Sequence, residues 1–396
     1  MKKGWIKILF GFLFLAGFGL ILGRNLPTIL SESAPDFTQV WISAKAMLQI
    51  KDPYYNTSLD YPNAYPPISE IFFLPLALLN YHQALAIFTF FSFASIMTSV
   101  FLSLKIVVNK VPWHYFLLFS GLSLLSFPTK FSLGMGQINM IVLFFLLLSI
   151  FLETRIKKRS ILAGIFLGIS ISLKPIFAFF LLFLVLKKSW KMIFVSMLTV
   201  LFLAGVTFLF WPISYWSNWY ESGILPLTNY VSSQIYVYPN QGLFGFLYRS
   251  ISNQTFRILL HKIATVVLII FATYKVSKKK NYNLGLSFFI ITLLIFDLIS
   301  WQHHFVWLIF SFIAISYNIV KIKNTVLLGL ICAAYLLISW NFKQPILHPT
   351  ILLSTQFYGS IILWCVNLYL LNLKSNNFQN INREFFKLLE FGEQHR

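Results

Sequence analysis

The stretch APDFTQVWISAKAMLQIKDPYYNTSLDYPNAYPPISEIFFLPLALL, residues 34–79, decides how the rest of the chain is read. It follows one apolar run and precedes an almost unbroken series of others. Together with Glu32 just before it, it holds Asp36, Asp52, Asp60 and Glu70, five of the 11 acidic residues in the chain. In DFTQVWISAKAMLQI, the residues Phe37, Val40, Trp41, Ala44, Met47 and Leu48 recur at helical spacing, which predicts an amphipathic helix lying on a membrane surface. DPYYN predicts a turn. YPP then precedes ISEIFFLPLALL, a second short apolar helix entering the plane of the membrane. An ordered polar loop in this setting reads as half of an active site at a membrane surface, with the remaining chain as its scaffold.

Working outward, the composition supports that setting. The 396 residues are 58% hydrophobic and 11% charged, with a mean hydropathy of +0.76, whereas soluble domains are about 25% charged. Forty-four Phe cannot hide in one aqueous core. The expectation is an all-α polytopic membrane bundle: one domain over 1–373 and a polar cytoplasmic tail over 374–396, with one short amphipathic patch. The net charge of +20 sits in short clusters between apolar runs (KKR, KKSWK, SKKK, KIK), the pattern of the positive-inside bias rather than of a nucleic-acid surface. Cys332 and Cys365 both lie in apolar runs and offer no disulfide framework. The first residues, MKKGWIKILFGFLFLAGFGLILG, resemble a signal peptide. Their apolar run continues to Leu22 with no small-x-small site close behind, so they read as an uncleaved anchor.

With about 20 apolar residues needed per crossing, twelve spans are expected, at 5–22, 82–107, 112–128, 138–153, 160–173, 175–187, 191–211, 256–275, 283–300, 304–320, 324–340 and 350–373. A cytoplasmic N-terminus puts 22 of the 31 Lys and Arg on cytoplasmic connections, which fixes the orientation with both termini inside. The long loops 23–81 and 212–255 then both face out. The cytoplasmic loops are too short to fold around a nucleotide, so chemistry is expected on the outer face. Spans five and six are short and joined by Leu173-Lys174-Pro175, with basic clusters at both cytoplasmic ends. They predict a helical hairpin whose tip, Lys174, faces a cavity or an anion, with Pro175 in the first turn of the returning helix.

The remaining polar residues each admit two readings. Asp36 is a helix N-cap or a general base, and the two are compatible. His303 and His304, in Ser300-Trp301-Gln302-His303-His304, anchor the chain at the interface, or bind a phosphate or share a proton; without a third ligand they are a weak metal signal. Asp297, one turn earlier, needs a partner, with one of these histidines or a lysine as the candidate. Gln137 and Asn139, in GMGQIN, either hydrogen-bond a polar ligand beside closely approaching backbone or are interfacial amides at a helix start. Asn240, Gln241 and Arg249 follow in the second loop, where an arginine suits phosphate binding or sits among lipid headgroups; Arg249 is favoured over Arg257 for its nearness to the loop motif. Trp211, Tyr215, Trp216, Trp219 and Tyr220 read mainly as an interfacial belt. No nucleotide loop, HExxH, GxSxG or DxD-like pair is present.

In order, the outer-loop Asp36 ahead of a surface helix, KDPYYN, AYPPISEIFFLPLALL, GQIN, LKP, NQGLFGFLYR and SWQHHFVWLIF resemble glycosyltransferase family 87, over about residues 30–320. The resemblance implies a GT-C fold and transfer of a sugar from a polyprenyl phosphate to a glycolipid or glycan. It implies Asp36 as the catalytic carboxylate and His303 or His304 near the donor phosphate. Lys174, Asn240, Gln241 and Arg249 sit in matching motifs. Where the family commonly carries Gly before the Pro-Tyr turn, this chain has Lys51-Asp52. A lipid-phosphate donor brings its own leaving group and anchor, so no cofactor or metal is expected. Lys174, Arg249 and a protonated histidine would supply positive charge for the phosphate, and Asp36 a base for the acceptor hydroxyl. The expected partners are that donor, the acceptor and the lipid bilayer of the cell (inner) membrane, with no nucleic acid. The alternatives are a flippase or transporter of lipid-linked sugars, against which the absence of a repeat and the outer placement of the polar residues speak, and an O-antigen ligase or polymerase.

Overall fold

In a computed structural model, residues 3–31, 34–54, 63–108, 111–156, 158–226, 239–341 and 350–373 are described. The expected tail helix at 374–396 and part of the second long loop fall outside them. Regular structure among the described residues is helical, apart from an isolated antiparallel bridge between Asn240 and Trp301.

Five helices are long and apolar enough to cross a membrane: α1 (Gly4–Leu30, within Lys3–Ser31), α4 (Tyr81–Val107), α10 (Trp190–Phe210), α13 (Gln254–Ser277) and α15 (Gln302–Ile322). A sixth is counted if α5 (Trp113–Leu125) and α6 (Phe127–Met135) are one span bent by 63°. The other expected crossings fall on shorter helices: α7 (Asn139–Arg155), α8 (Ser160–Leu173), α9 (Pro175–Leu186), α14 (Tyr282–Phe296), α16 (Thr325–Ser339) and α17 (Thr355–Asn372). The expected loop start at 23 is overtaken by α1, which runs on to Ser31 through Pro27. The expected span 112–128 breaks where Pro128 follows extended Ser126, because a proline cannot continue the preceding hydrogen-bond ladder. The span expected at 283–300 stops at Phe296, with Asp297 extended beyond it.

Packing distinguishes core helices from peripheral ones. Every residue of α14 from Leu284 to Phe296 is buried, so this helix lies in the interior of the bundle. By contrast α1, α10 and α13 bury only 11%, 11% and 17% of their apolar windows, leaving leucine and phenylalanine faces outward, as expected of helices in lipid. Gly164 and Gly168, four apart on α8, bring it within van der Waals contact of α10 at Val195 and Thr199, the small-residue crossing common in membrane bundles.

The first polar loop folds as α2 (Pro35–Leu48) and then a short helical stretch, α3 (Pro67–Ala77). Phe37, Val40, Ala44 and Met47 of α2 are buried as the spacing predicts, while Trp41 is half-buried and Leu48 exposed. The second long loop carries α11 (Ser214–Asn218), which passes into a π-helical turn at Trp219–Ile224, and α12 (Leu243–Ser250). Its tryptophans brace the first loop. Trp211 Nε1 donates to the Met47 carbonyl at 2.9 Å and Trp219 Nε1 to the Ala64 carbonyl at 3.0 Å, and the Asn218 amide donates to the Asp52 carboxylate.

Candidate active site

The carboxylate comes from the start of α2. Proline favours the first helical position, where its missing N–H costs nothing. Pro35 takes that place, Ala34 becomes the cap, and Asp36 lies in the first turn with its carboxylate free for another partner. That partner is Gln137, whose Nε2 donates to Asp36 Oδ2 at 2.6 Å. The amide is delivered by a left-handed turn at Gly136 (φ +70°), where a Cβ would lie 2.4 Å from Phe37 Cβ. The close backbone approach expected at GMGQIN is therefore an approach to α2. Tyr65, ahead of α3, donates its hydroxyl to Gln137 Oε1 at 3.1 Å. Asp36 is 7% exposed. Burial pushes its carboxyl up to about 6, against the opposing pull of the Gln137 amide and the Lys174 charge.

The cation comes from the link between α8 and α9. Lys174 Nζ donates to Asn139 Oδ1 and to His304 Nε2, each at 2.7 Å, and lies 5.0 Å from the centre of the Trp307 ring. His304 stacks on Trp307 at 4.9 Å with the rings 6° from parallel, and Trp307 Nε1 donates to the Asn139 carbonyl at 3.3 Å. With Lys174 protonated, its ammonium donates to His304 Nε2, so this histidine is neutral with its hydrogen on Nδ1 and the charge of the pair sits on Lys174, while burial pulls Lys174 down to about 7. Asp36 and Asp297 both lie near enough to act on that charge. Asp297 also accepts from the backbone N–H of Ile299 at 3.3 Å. The tip is held from the first loop, because Ser69 Oγ bonds the carbonyls of Ser172 at 2.6 Å and Leu173 at 3.1 Å.

The two histidines part company. His304 faces Lys174, whereas His303 packs against Phe131 of α6 at 5.5 Å and Trp301 at 5.6 Å. The His303 carbonyl accepts from Ser132 at 3.1 Å.

Asn240, Gln241, Arg249 and Trp301 hold the loop that carries the histidines. The Gln241 N–H donates to the Ser300 carbonyl at 2.7 Å and the Gln302 N–H to the Pro239 carbonyl at 2.9 Å, on either side of the Asn240–Trp301 bridge. Asn240 Nδ2 donates to the Leu298 carbonyl at 2.8 Å, and Gln241 Nε2 to the Leu353 carbonyl at 2.9 Å. Arg249 gives Nη1 and Nη2 to the Asn240 carbonyl at 3.0 and 3.1 Å and Nε to Ser354 Oγ at 2.8 Å. These bonds tie three distant segments together behind the histidines.

Tyr65, Ser69 and Asn63 were not singled out by sequence reasoning, and Glu70 was noted only as one of the acidic residues of the loop. Glu70 is fully buried, and its Oε1 accepts from Asn63 Nδ2 at 2.8 Å. YPP was the one signal present, and a tyrosine beside two prolines in a chain with 18 tyrosines marks a turn rather than a partner. Among the described residues no three His, Cys, Asp or Glu side chains converge as metal ligands would.

The family model of glycosyltransferase family 87 matches residues 63–300. That range takes in Tyr65, Gln137, Asn139, Lys174, Asn240, Gln241 and Arg249, and leaves Asp36, Trp301, His303 and His304 outside it. No curated protein matches the chain.

Proposed function

Because the chain belongs to glycosyltransferase family 87, a family of membrane glycosyltransferases, we propose that it moves a hexose, mannose foremost, from a polyprenyl phosphate to a glycolipid or glycan acceptor. The transfer inverts the anomeric centre and takes place at the outer face of the cell (inner) membrane. The observation that carries this reading is a buried carboxylate, Asp36, held at Oδ2 by Gln137 and within the field of Lys174. Asp36 takes the proton of the acceptor hydroxyl as its oxygen bonds to the anomeric carbon. The bond from that carbon to the phosphate oxygen breaks, and polyprenyl phosphate leaves with the electron pair. Lys174 stabilises the negative charge that grows on the leaving phosphate, with Asn139 and His304 fixing the ammonium. One base and one displacement give inversion.

Two further features support the donor class and the side of the membrane. An apolar cavity of about 530 Å³ runs between α4, α5, α15 and α16, from Val108, Pro112 and Val320 to Ser126, Pro128 and Phe305. Phe305, which lines the cavity, follows His304 in the chain, so an isoprenoid tail seated there would lie against the segment that carries the histidines. The distribution of Lys and Arg supports an outer placement of this end of the bundle. Purified protein given polyprenyl-phosphate [³H]mannose and a membrane glycolipid extract should form labelled glycolipid, and Asp36→Asn should lower that rate by about a hundred- to ten-thousand-fold. Near-normal turnover by Asp36→Asn removes Asp36 from the chemistry. Movement of the labelled lipid between the leaflets of vesicles without any transfer overturns the enzyme reading in favour of transport.

A further inference from the structure

The segment Tyr65–Ser69 touches both halves of the site. At one end the Tyr65 hydroxyl donates to Gln137 Oε1, and Gln137 Nε2 donates to Asp36 Oδ2. At the other, Ser69 Oγ bonds the last two carbonyls before Lys174. We propose that Tyr65 is a positioning residue for the base: through Gln137 it fixes which oxygen of Asp36 is held and which is left to take the acceptor proton. The inference rests on the reading of Asp36 as general base.

A carboxamide has one accepting end and one donating end. A hydroxyl that donates to Oε1 leaves Nε2 as the end that faces Asp36, and a donor there suits an ionised carboxylate. Without the tyrosine hydroxyl, nothing in this chain of bonds stops the amide from turning its oxygen toward Asp36. Two acceptors would then face each other, and the carboxylate would lose the bond that favours its charged form. Asp36 Oδ1 is outside the chain of bonds and is the oxygen left for the acceptor. Gly136 is part of the same device, since its left-handed turn is what brings Gln137 against α2. The titratable groups acting on Asp36 are Lys174 from the α8–α9 link and Tyr65 itself, with Glu70 beyond Tyr65. On neighbouring elements, Lys130 of α6 lies in the field of Arg24, and His82 of α4 bonds the Ile29 carbonyl at 2.7 Å.

The test is the pH profile of kcat/KM for [³H]mannose transfer by purified protein, which reports the ionisation of the free enzyme's base. Tyr65→Phe is expected to move the acid limb upward by about half to one pH unit, as loss of a hydrogen bond to a charged group requires. The rate at pH 6 should fall about two- to fivefold while KM for the donor stays within about twofold. Tyr54→Phe is the control. It removes the hydroxyl that bonds the Tyr65 carbonyl at 2.8 Å, loosening the same segment without touching Gln137, and should leave the acid limb in place. If Tyr65→Phe cannot be purified folded, Gln137→Met reads the same chain from its other end and should shift the limb in the same direction. An unchanged limb in Tyr65→Phe, or an equal shift in Tyr54→Phe, overturns the proposal. Asp36→Asn is run beside them. If it stays active, the base assignment has failed; if it is inactive while Tyr65→Phe keeps the wild-type limb, the positioning role alone has failed.

Discussion

Two loops meet at the site and are built in opposite ways. The first, Asp36 to Leu79, presents a carboxylate on a helix of its own. One amide holds that carboxylate, and Tyr65 and Ser69 reach across to the opposite wall. The second, Asp297 to His304, owes its shape to residues far away in sequence: Asn240, Gln241, Arg249, Leu353 and Ser354. The difference separates two uses of polar side chains that look alike in a sequence. On the first loop and the hairpin tip they gather around Asp36 and Lys174; behind the second they replace hydrogen bonds that an irregular backbone at membrane depth would otherwise lack.

The sharpest way to break that contrast is to remove one cation from each side. Lys174→Met should lower transfer by about a hundred- to a thousand-fold, the usual effect of losing one group aimed at developing charge, with little change in thermal stability. Arg249→Met should do the reverse. Deleting bonds to the Asn240 carbonyl and Ser354 is expected to lower stability by about 2–3 kcal/mol, and activity should fall only as far as folded protein does. Both are read by a thermal melt in detergent beside the transfer assay. If Arg249→Met keeps its melting temperature and loses donor affinity, the arginine belongs to the phosphate and the contrast is wrong.

Next in size is the cost of Asp36. Moving a carboxyl from 3.8 to about 6 makes its ionised form about 3 kcal/mol less favourable in the fold than in the unfolded chain. The folded state holds this proton more tightly, so Asp36 contributes most to stability below pH 4. The contribution declines as pH rises through 6 and is constant above. Asp36→Asn, which can still accept from Gln137, should melt at a higher temperature at pH 7.5 while losing transfer. No gain in stability would mean that the Asp36 pocket is wetter than its burial implies.

Much of this was legible in the sequence. The apolar runs marked the helices because membrane depth permits little else, and the lone carboxylate and the hairpin lysine stood out because charge is expensive there. The reading of Asp36 as the helix N-cap is corrected by the structure, because Pro35 takes the first helical position and moves the cap back to Ala34, leaving Asp36 in the first turn. What could not be read was which carbonyls and hydroxyls Asn240, Gln241 and Arg249 bond in the fold. A motif preserves residue type and spacing, and an arginine bound to a carbonyl has the same letter as one bound to a phosphate. The bend at Ser126 had its signal in Pro128, but hydropathy alone runs straight through it.

The smallest effect tests whether cost on the first loop is concentrated where function needs it. Helix α2 ends with Gln49, and the chain reverses through Ile50 at φ +55°, with the Lys51 N–H returning to the Ala46 carbonyl at 2.9 Å. That position ordinarily belongs to glycine, because a β-carbon crowds the following carbonyl in left-handed backbone. A β-branched residue there costs about 1–2 kcal/mol. Ile50 is 70% exposed and so recovers little by packing. Its strain, unlike the burial of Asp36, serves no bond at the site. Ile50→Gly should therefore raise stability by about 1 kcal/mol, read as a higher melting temperature, with kcat and the acid limb unchanged. A fall in kcat would show instead that the tension at the end of α2 helps to press Asp36 against Gln137.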